Sequence, residues 1–405
     1  MTTIQRYSFQ LQCSFRSLLC AAALAVCGPA LADEPVPVSA DAVRAELESV
    51  LEEAVRGAGA RGASAAVLLP GGEVVKATFG FADSETREPL QASDRMLGGS
   101  TGKTFVAATA MSLVQDGVLE LDVPVSRWLG DEAWYTRLPN HEELTLRMLL
   151  NHTGGLPDHI YQRDFRLGLL RERFGDENFH YQPAELVEFI LDLPPLAPAG
   201  KQFNYSDTGY ILAGLVIEAA TGGSYYRELQ DRILTPLELG EVSPAVGMQI
   251  DGLVPGYVSW GFFNLLSGIA GKNLEDGRLN LNPAIEWTGG GLVTTPASLV
   301  RFYGALFEDG LLSAESVEQM IASTAVNEAG QPYGLGVFVL ENEEFGRYFH
   351  HSGWYPGYLT NVIWYEDLGI GVALQYNQDY NADIYEPVKK IARRVRPLVT
   401  AREGG

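Results

Sequence analysis

Residues 98–105 read "GGSTGKTF", and the stretch admits two chemistries that lead to different folds. Its Gly-Lys-Thr ending is that of a phosphate-binding loop. Such a loop also needs a glycine five positions before the one in Gly-Lys, directly after a buried strand. Leu97 stands at that position, and the preceding "QASDRMLGG" (91–99) is charged and poor in β-formers. No acidic strand for magnesium follows, since "FILDL" (189–193) reads better as the end of a helix. The second chemistry is Ser-x-x-Lys. "STGKTFVAATAMSLVQDG" (100–117) predicts a helix that starts at Ser100 and stops at Gly117. Residues three apart share a helix face, with Cβ atoms about 5–6 Å apart, so the Ser100 hydroxyl and Lys103 amine would meet. The helix start adds free N–H groups and partial positive charge, which suit an oxyanion. Alone, the motif is weak, because an N-cap serine followed by an exposed lysine gives the same pattern.

Two further stretches sharpen it: "APAGKQFNYSDTGYILAGLVIEAATG" (197–222) and "HHSGWYPGYLTNVIWY" (350–365). With them the chain resembles the serine β-lactamase and penicillin-binding superfamily, in its branch of D-Ala-D-Ala carboxypeptidases, class C β-lactamase-like enzymes and related esterases. That family carries Ser-x-x-Lys, Tyr-x-Asn and Lys-Thr-Gly or His-x-Gly in this order. The matching triplets are Ser100 with Lys103, Tyr205-Ser206-Asp207, and His351-Ser352-Gly353. "LLNHTGGLPD" (149–158) and "TGGGLVTTPASLVRF" (288–302) also look familial, and the resemblance runs from about residue 40 to about 380.

The resemblance implies that Ser100 is the nucleophile of an acyl-enzyme. Lys103 and Tyr205 are both candidates for its base, and the choice stays open: each must shift about three units, roughly 4 kcal/mol, to act at neutrality. The oxyanion donors would be the amides of Ser100 and Trp354. His351, Ser352 and Gly353 would line the strand edge where substrate docks. The family's lysine binds a carboxylate there by charge, and a histidine does so weakly at neutral pH. Asp207 departs from the usual asparagine: it accepts hydrogen bonds only, and an ionised carboxylate would hold Lys103 protonated. The departure predicts weak amide and β-lactam turnover relative to ester turnover; an unchanged ratio in Asp207→Asn would refute that. A shifted register, Ser206-Asp207-Thr208, is the alternative that the flanks disfavour.

The rest of the chain bounds the function. Arg6 and Arg16, the apolar "LLCAAALAVC" (18–27) and the small-residue ending Ala30-Leu31-Ala32 predict a cleaved signal peptide over 1–32, hence a periplasmic or secreted protein. All three cysteines lie inside it, so no disulfide is expected. The net charge of −22 becomes more negative when the two arginines leave, which disfavours nucleic acid and anionic lipid as partners. No later run is long and apolar enough to span a membrane. The expected partners are small-molecule or peptide substrates: D-Ala peptides, β-lactams or esters. No cofactor and no metal is expected, because the six histidines show no ligand spacing.

The fold class expected is α/β (α+β), with an antiparallel sheet flanked by N- and C-terminal helices and a mostly helical lobe inserted. Residues 33–97 and 330–405 would form the sheet lobe and 98–329 the helical lobe. "DAVRAELESVLEEAVR" (41–56) has one apolar face, "ASAAVLLP" and "EVVKATFGFA" form a hairpin at Gly71-Gly72, and "NADIYEPVKKIARRVRPLV" (381–399) closes the chain as a helix. Residues 242–285 read as a long loop region, with Trp260, Phe262 and Phe263 as lid packing. His152 reads as a buried residue fixing a turn, and Trp354, Tyr355 and Tyr358 as candidates for the pocket rim. The activity expected first is that of a DD-carboxypeptidase or transpeptidase. A carboxylesterase, or a penicillin- or peptidoglycan-binding protein with little turnover, are the alternatives.

Overall fold

In the computed structural model, residues 38–175, 178–261, 269–322 and 325–400 are described; the expected leader with its cysteines, Phe262 and Phe263 lie outside them. Both chain ends build one antiparallel sheet. Its long strands are β1 (Gly62–Leu68), β2 (Val74–Asp83), β3 (Phe338–Asn342), β4 (Gly346–Tyr355), β5 (Tyr358–Tyr365) and β6 (Ile370–Tyr376). They run in the order β3-β4-β5-β6-β1-β2, with two-residue pieces at both edges completing nine strands. The β1–β2 connection turns at Gly71 and Gly72, whose φ values of 96° and 90° suit residues without a Cβ.

Two helices cover one face. In α1 (Ala40–Ala58), Ser39 caps the start through its side chain, and Gly59 ends the helix in the left-handed conformation. Its Val43, Leu47, Val50, Leu51 and Val55 stripe meets the Val388, Ile391, Ala392 and Val395 stripe of α5 (Glu386–Thr400). Both rest on Ala63, Ala65 and Val67 of β1 and on Val372 and Leu374 of β6. The alternate residues Ala66, Leu68 and Ala373 face the other way, into the core shared with the helical part. Burial on both faces explains why β1 and β6 carry apolar residues on both faces rather than alternating, with Ser64 and Gln375 as buried polar exceptions.

The opposite face carries α4 (Pro296–Phe307); α2 (Gly102–Gln115) lies over it, with Phe105 stacked on Phe302 at 3.7 Å, and α3 (Asp207–Thr221) packs against α2. Sequence reading assigned α4 to the inserted lobe, yet it lies directly on the sheet. Gly371 and Gly304 permit this: an added Cβ would come 3.2 Å from Val300 and 2.4 Å from Leu68 respectively. The far edge of the sheet begins at Ala325, earlier than position 330. The described chain from Val38 onward is one compact unit.

Between Val242 and Ile285 the described residues form short pairings, Tyr257–Val258 with Gly271–Lys272 and Leu274–Glu275 with Arg278–Leu279. They are tied to the body. Asn273 accepts from the Gly256 amide at 2.7 Å and donates to the Pro356 carbonyl at 2.8 Å, and Asn377 donates to Pro255 at 3.1 Å. Trp260 is exposed and lies against Gly271. Among the described residues no helix is long and apolar enough to cross a membrane.

Candidate active site

The site forms where α2 begins. Gly98 and Gly99 let the chain turn tightly into a short 3-10 segment, Gly99–Thr101, before α2 starts at Gly102. Gly99 has φ 53°, and a Cβ there would sit 2.7 Å from the Trp354 nitrogen, so the serine turn and strand β4 touch backbone to backbone. Ser100 is thereby held half-buried at the mouth of a cleft, while Lys103 lies wholly buried one turn below. The Lys103 ammonium donates to Ser100 Oγ at 3.1 Å and to the Gly289 carbonyl, and pairs with Asp207 Oδ1 at 2.5 Å.

Tyr205 comes from the loop entering α3. Its hydroxyl stands beside Ser100 and Lys103 and interacts with both, and the Lys103 nitrogen lies 5.1 Å from its ring centroid. His152 holds that loop from behind. Its carbonyl accepts from the Asn204 amide at 2.8 Å, its Nδ1 accepts from the Ser206 amide at 3.1 Å, and its ring stacks on Tyr205 with centroids 4.1 Å apart. The residue is buried with φ 59°, a left-handed turn consistent with its expected role.

The resting protonation states follow from these contacts. Burial works against the charge on Lys103, but the Asp207 carboxylate and Tyr205 outweigh it and raise its pKa above the ordinary lysine value. Burial pushes the Tyr205 phenol up to about 12 in spite of the neighbouring ammonium. Lys103 therefore rests charged and Tyr205 neutral. Burial also raises Asp158 to about 8 and Glu286 to about 7, each with a further push from the Asp207 charge. Asp158 Oδ2 accepts from the Asp207 amide at 3.0 Å. Three carboxyl groups thus gather around Lys103, and none of them lines the cleft beside the strand.

Strand β4 supplies the facing wall. Its pairing with β3 ends at Phe338 and His350, so residues 351–354 present an open edge beside Ser100. Gly353 is required there: a Cβ would fall 1.9 Å from the Gly98 carbonyl oxygen and 3.2 Å from the Ser100 nitrogen. The main chain of Trp354 meets the Ser100 turn at this point, and its side chain is exposed. His351 turns inward. Its Nδ1 faces the Ser352 carbonyl at 2.7 Å, so it is the donor; Nε2 then accepts from the Tyr333 hydroxyl at 3.0 Å. Burial presses its pKa down to about 3, leaving a neutral ring with both nitrogens occupied. Ser352 faces the cleft and shares a 3.0 Å hydrogen bond with Tyr385. Tyr355 and Tyr358 are buried rather than on a rim.

The structure brings Ser100, Lys103, Tyr205, Asp207, Ser352, Gly353 and Trp354 into one place, and puts Asp207 against Lys103. Sequence reading had not found Asp158, Glu286, Tyr333, Tyr385 or the Gly289 carbonyl. Their spacing carries no signal; only the Gly-Gly-Gly run before Leu292 marked a close backbone approach, where an added Cβ on Gly290 would meet the Ser100 nitrogen at 3.0 Å.

Fold and site together define a serine hydrolase in which Ser100 lies beside a buried lysine and a tyrosine. The chain belongs to the Beta-lactamase family, whose model matches residues 47–393. It is 26% identical over 343 residues to penicillin-binding protein 4* of Bacillus subtilis (strain 168), covering 78% of this chain and 68% of that protein. Among solved structures it is similar to a D-stereospecific amidohydrolase from Streptomyces sp., with TM-score 0.72, 26% identity and coverage of 88% of this chain and 98% of the other. The D-amino acid amidase of Ochrobactrum anthropi SV3 shares the fold, with TM-score 0.72 at 24% identity over 87% of this chain and 99% of the other.

Proposed function

We propose that the protein hydrolyses amides or esters of amino acids that carry a free α-ammonium group, through an acyl-enzyme on Ser100. The observation that carries this reading is Asp207. At its position an asparagine amide would donate to the carbonyl of an N-acylated substrate. A carboxylate only accepts, so its complement is a donor, and an ammonium is the donor with matching charge. Asp158 and Glu286 stand behind it within electrostatic reach. The likeness to a D-stereospecific amidohydrolase supports D-configured amino acids as the class.

In the proposed reaction the reactive form is the one in which Tyr205 has first given its proton to solvent; its phenolate then takes the Ser100 proton, becoming the neutral phenol, as the hydroxyl attacks the carbonyl carbon. The Lys103 ammonium, held charged by Asp207, stabilises that phenolate. The amides of Ser100 and Trp354 receive the oxyanion; losing one such donor typically lowers the rate about 10²–10³-fold. Tyr205 then returns its proton to the departing amine or alcohol, and water repeats the sequence to free the acid. The reaction is proposed to occur outside the cytoplasm after cleavage of residues 1–32; Edman sequencing of the mature protein should begin at Asp33.

The test compares D-alanine p-nitroanilide, its L enantiomer and N-acetyl-D-alanine p-nitroanilide, with Ser100→Ala as control. The free D-amine should be preferred over the acetylated form by about tenfold or more, since 1.4 kcal/mol of charge interaction suffices for that factor. Equal rates for the free and acetylated forms would overturn the ammonium reading, and an active Ser100→Ala would overturn the nucleophile.

A further inference from the structure

The cleft beside Ser100 extends along the open edge of β4 over about 510 Å³ and ends at Tyr385, just before α5. Tyr205, which must hand a proton to the departing group, lines this end together with Asn327, Gln331, Ser352 and Tyr385. Asp207, Asp158 and Glu286 do not line this cleft. The leaving group is therefore assigned to the cleft that Tyr205 shares with Tyr385, and the acyl group to the carboxylate side.

That leaving-group end holds no positive charge among the described residues. No lysine or arginine lines it. His351 is neutral with both nitrogens engaged, and burial together with Lys389 lowers His350 to about 4. Lys389 does not line the cleft, and its ammonium is 3.4 Å from the Glu386 carboxylate. The Ser352 hydroxyl is the one side chain of the His-Ser-Gly triplet turned to the cleft with a group able to reach a substrate anion, and Tyr385 already occupies it at 3.0 Å.

Tyr385 is placed there by its surroundings. The Asp383 carboxylate accepts from the amides of Tyr385 at 2.7 Å and Glu386 at 3.2 Å, an Asx turn that starts α5. Buried Asn361 donates to the Ile384 carbonyl at 3.0 Å. The ring stands edge-on to His350 with centroids 6.4 Å apart, and it remains 44% exposed at the mouth. A side chain so anchored on its backbone, yet open to the cleft, lines the same space as Ser100.

We infer that Tyr385, hydrogen-bonded to Ser352, is a specificity-determining residue that selects uncharged leaving groups and turns away those ending in a carboxylate. A carboxylate entering here would displace the Tyr385 hydroxyl from Ser352 and find no cation in exchange for its lost hydration. The inference rests on the Ser100 acyl-enzyme but not on the ammonium reading of the acyl side.

The test therefore uses acetyl esters, whose acyl group carries no charge. Rates of hydrolysis of phenyl acetate and 4-acetoxybenzoate, which differ by one carboxylate on the leaving group, are divided by their rates with hydroxide. Wild-type protein should discriminate against the carboxylate by about tenfold or more beyond the chemical ratio. Tyr385→Phe, which frees the Ser352 hydroxyl, should narrow that factor severalfold. Tyr385→Arg should shift it by a further tenfold or so towards 4-acetoxybenzoate, with the gain shrinking as salt is raised. Melting curves check that each variant folds, and Tyr385→Lys serves if the arginine variant does not. A wild-type ratio equal to the chemical one overturns the inference, as does a ratio that neither the phenylalanine nor a folded cationic variant alters. Phenol release that persists in Ser100→Ala overturns the acyl-enzyme and this inference with it. Normal ester acylation alongside equal rates for free and acetylated alanine anilides removes only the ammonium reading.

Discussion

Replacing Asp207 by asparagine separates the charge on Lys103 from everything else in the site. Lys103 is fully buried, and its resting charge depends on a carboxylate 2.5 Å away whose own side chain is only 14% exposed. Removing one partner of a buried ion pair typically costs about 3–5 kcal/mol. Asparagine keeps an acceptor oxygen, so the lower part of that range applies. At 1.36 kcal/mol per unit, about 3 kcal/mol corresponds to a drop of about two units in the lysine pKa. Wild-type Lys103 sits above 10.5, and its charge persists across the usable pH range. In Asp207→Asn the burial that opposes its charge loses its main counterweight, and the amine should titrate about two units or more below its wild-type value. The profile of kcat/KM should then acquire an alkaline limb that wild type lacks, because the ammonium that stabilises the Tyr205 phenolate is lost. Stability gives an independent reading. The raised wild-type value means that the pair contributes fully at all pH below 10.5 and is lost only as pH rises through the folded value. In the variant the folded value moves down towards the unfolded one, so the stability that the pair contributes below pH 10.5 shrinks and the melting temperature there should lie below that of wild type. A kcat/KM profile flat to pH 10, with a melting temperature that follows wild type, would refute the assignment of Lys103 as a charged group held by Asp207. The same variant restores a donor on the acyl side, so the preference for free over acetylated amines should fall with it.

Three further outcomes follow from the geometry. His152→Ala removes the acceptor for the Ser206 amide and the ring under Tyr205; kcat should drop about 10–100-fold with KM little changed, and His152→Asn, which keeps an acceptor and tolerates the left-handed backbone, should recover part of it. Gly353→Ala drives a methyl onto the Gly98 carbonyl at 1.9 Å, so the β4 edge must move off the serine turn; acylation by phenyl acetate should fall at least about 10²-fold, as for loss of an oxyanion donor, while the folded fraction measured by circular dichroism changes far less. Ampicillin and benzylpenicillin share a nucleus and differ by one amine on the acyl side; intact-mass measurements should show Ser100-dependent adducts forming faster with ampicillin, and both slowly, since the carboxylate of each meets no cation near Ser352. Equal adduct rates would count against Asp207 as the partner of an ammonium.

The local pattern was sufficient for much of this protein. Helical spacing put Ser100 and Lys103 on one face, because residues three apart meet in the 3-10 turn that carries Ser100 as they would in an α-helix. Apolar periodicity marked α1 and α5, and the paired glycines marked the β1–β2 turn, because those signals lie within a few residues of the structure they specify. The order of the three triplets then carried the family and the antiparallel sheet made from both chain ends. What local pattern does not encode is which distant groups share a dry, crowded volume. That Lys103 is charged depends on Asp207, 104 positions away along the chain, and on the Gly289 carbonyl closing over the ammonium. His351 read as a weak carboxylate ligand, since its triplet lines a substrate edge. Only the tertiary structure turned its ring to Tyr333 and gave the cleft side of the strand to Ser352 and Tyr385. Charge states and side-chain directions are decided by burial and by partners brought from elsewhere in the chain, so they become definite only when the chain has folded.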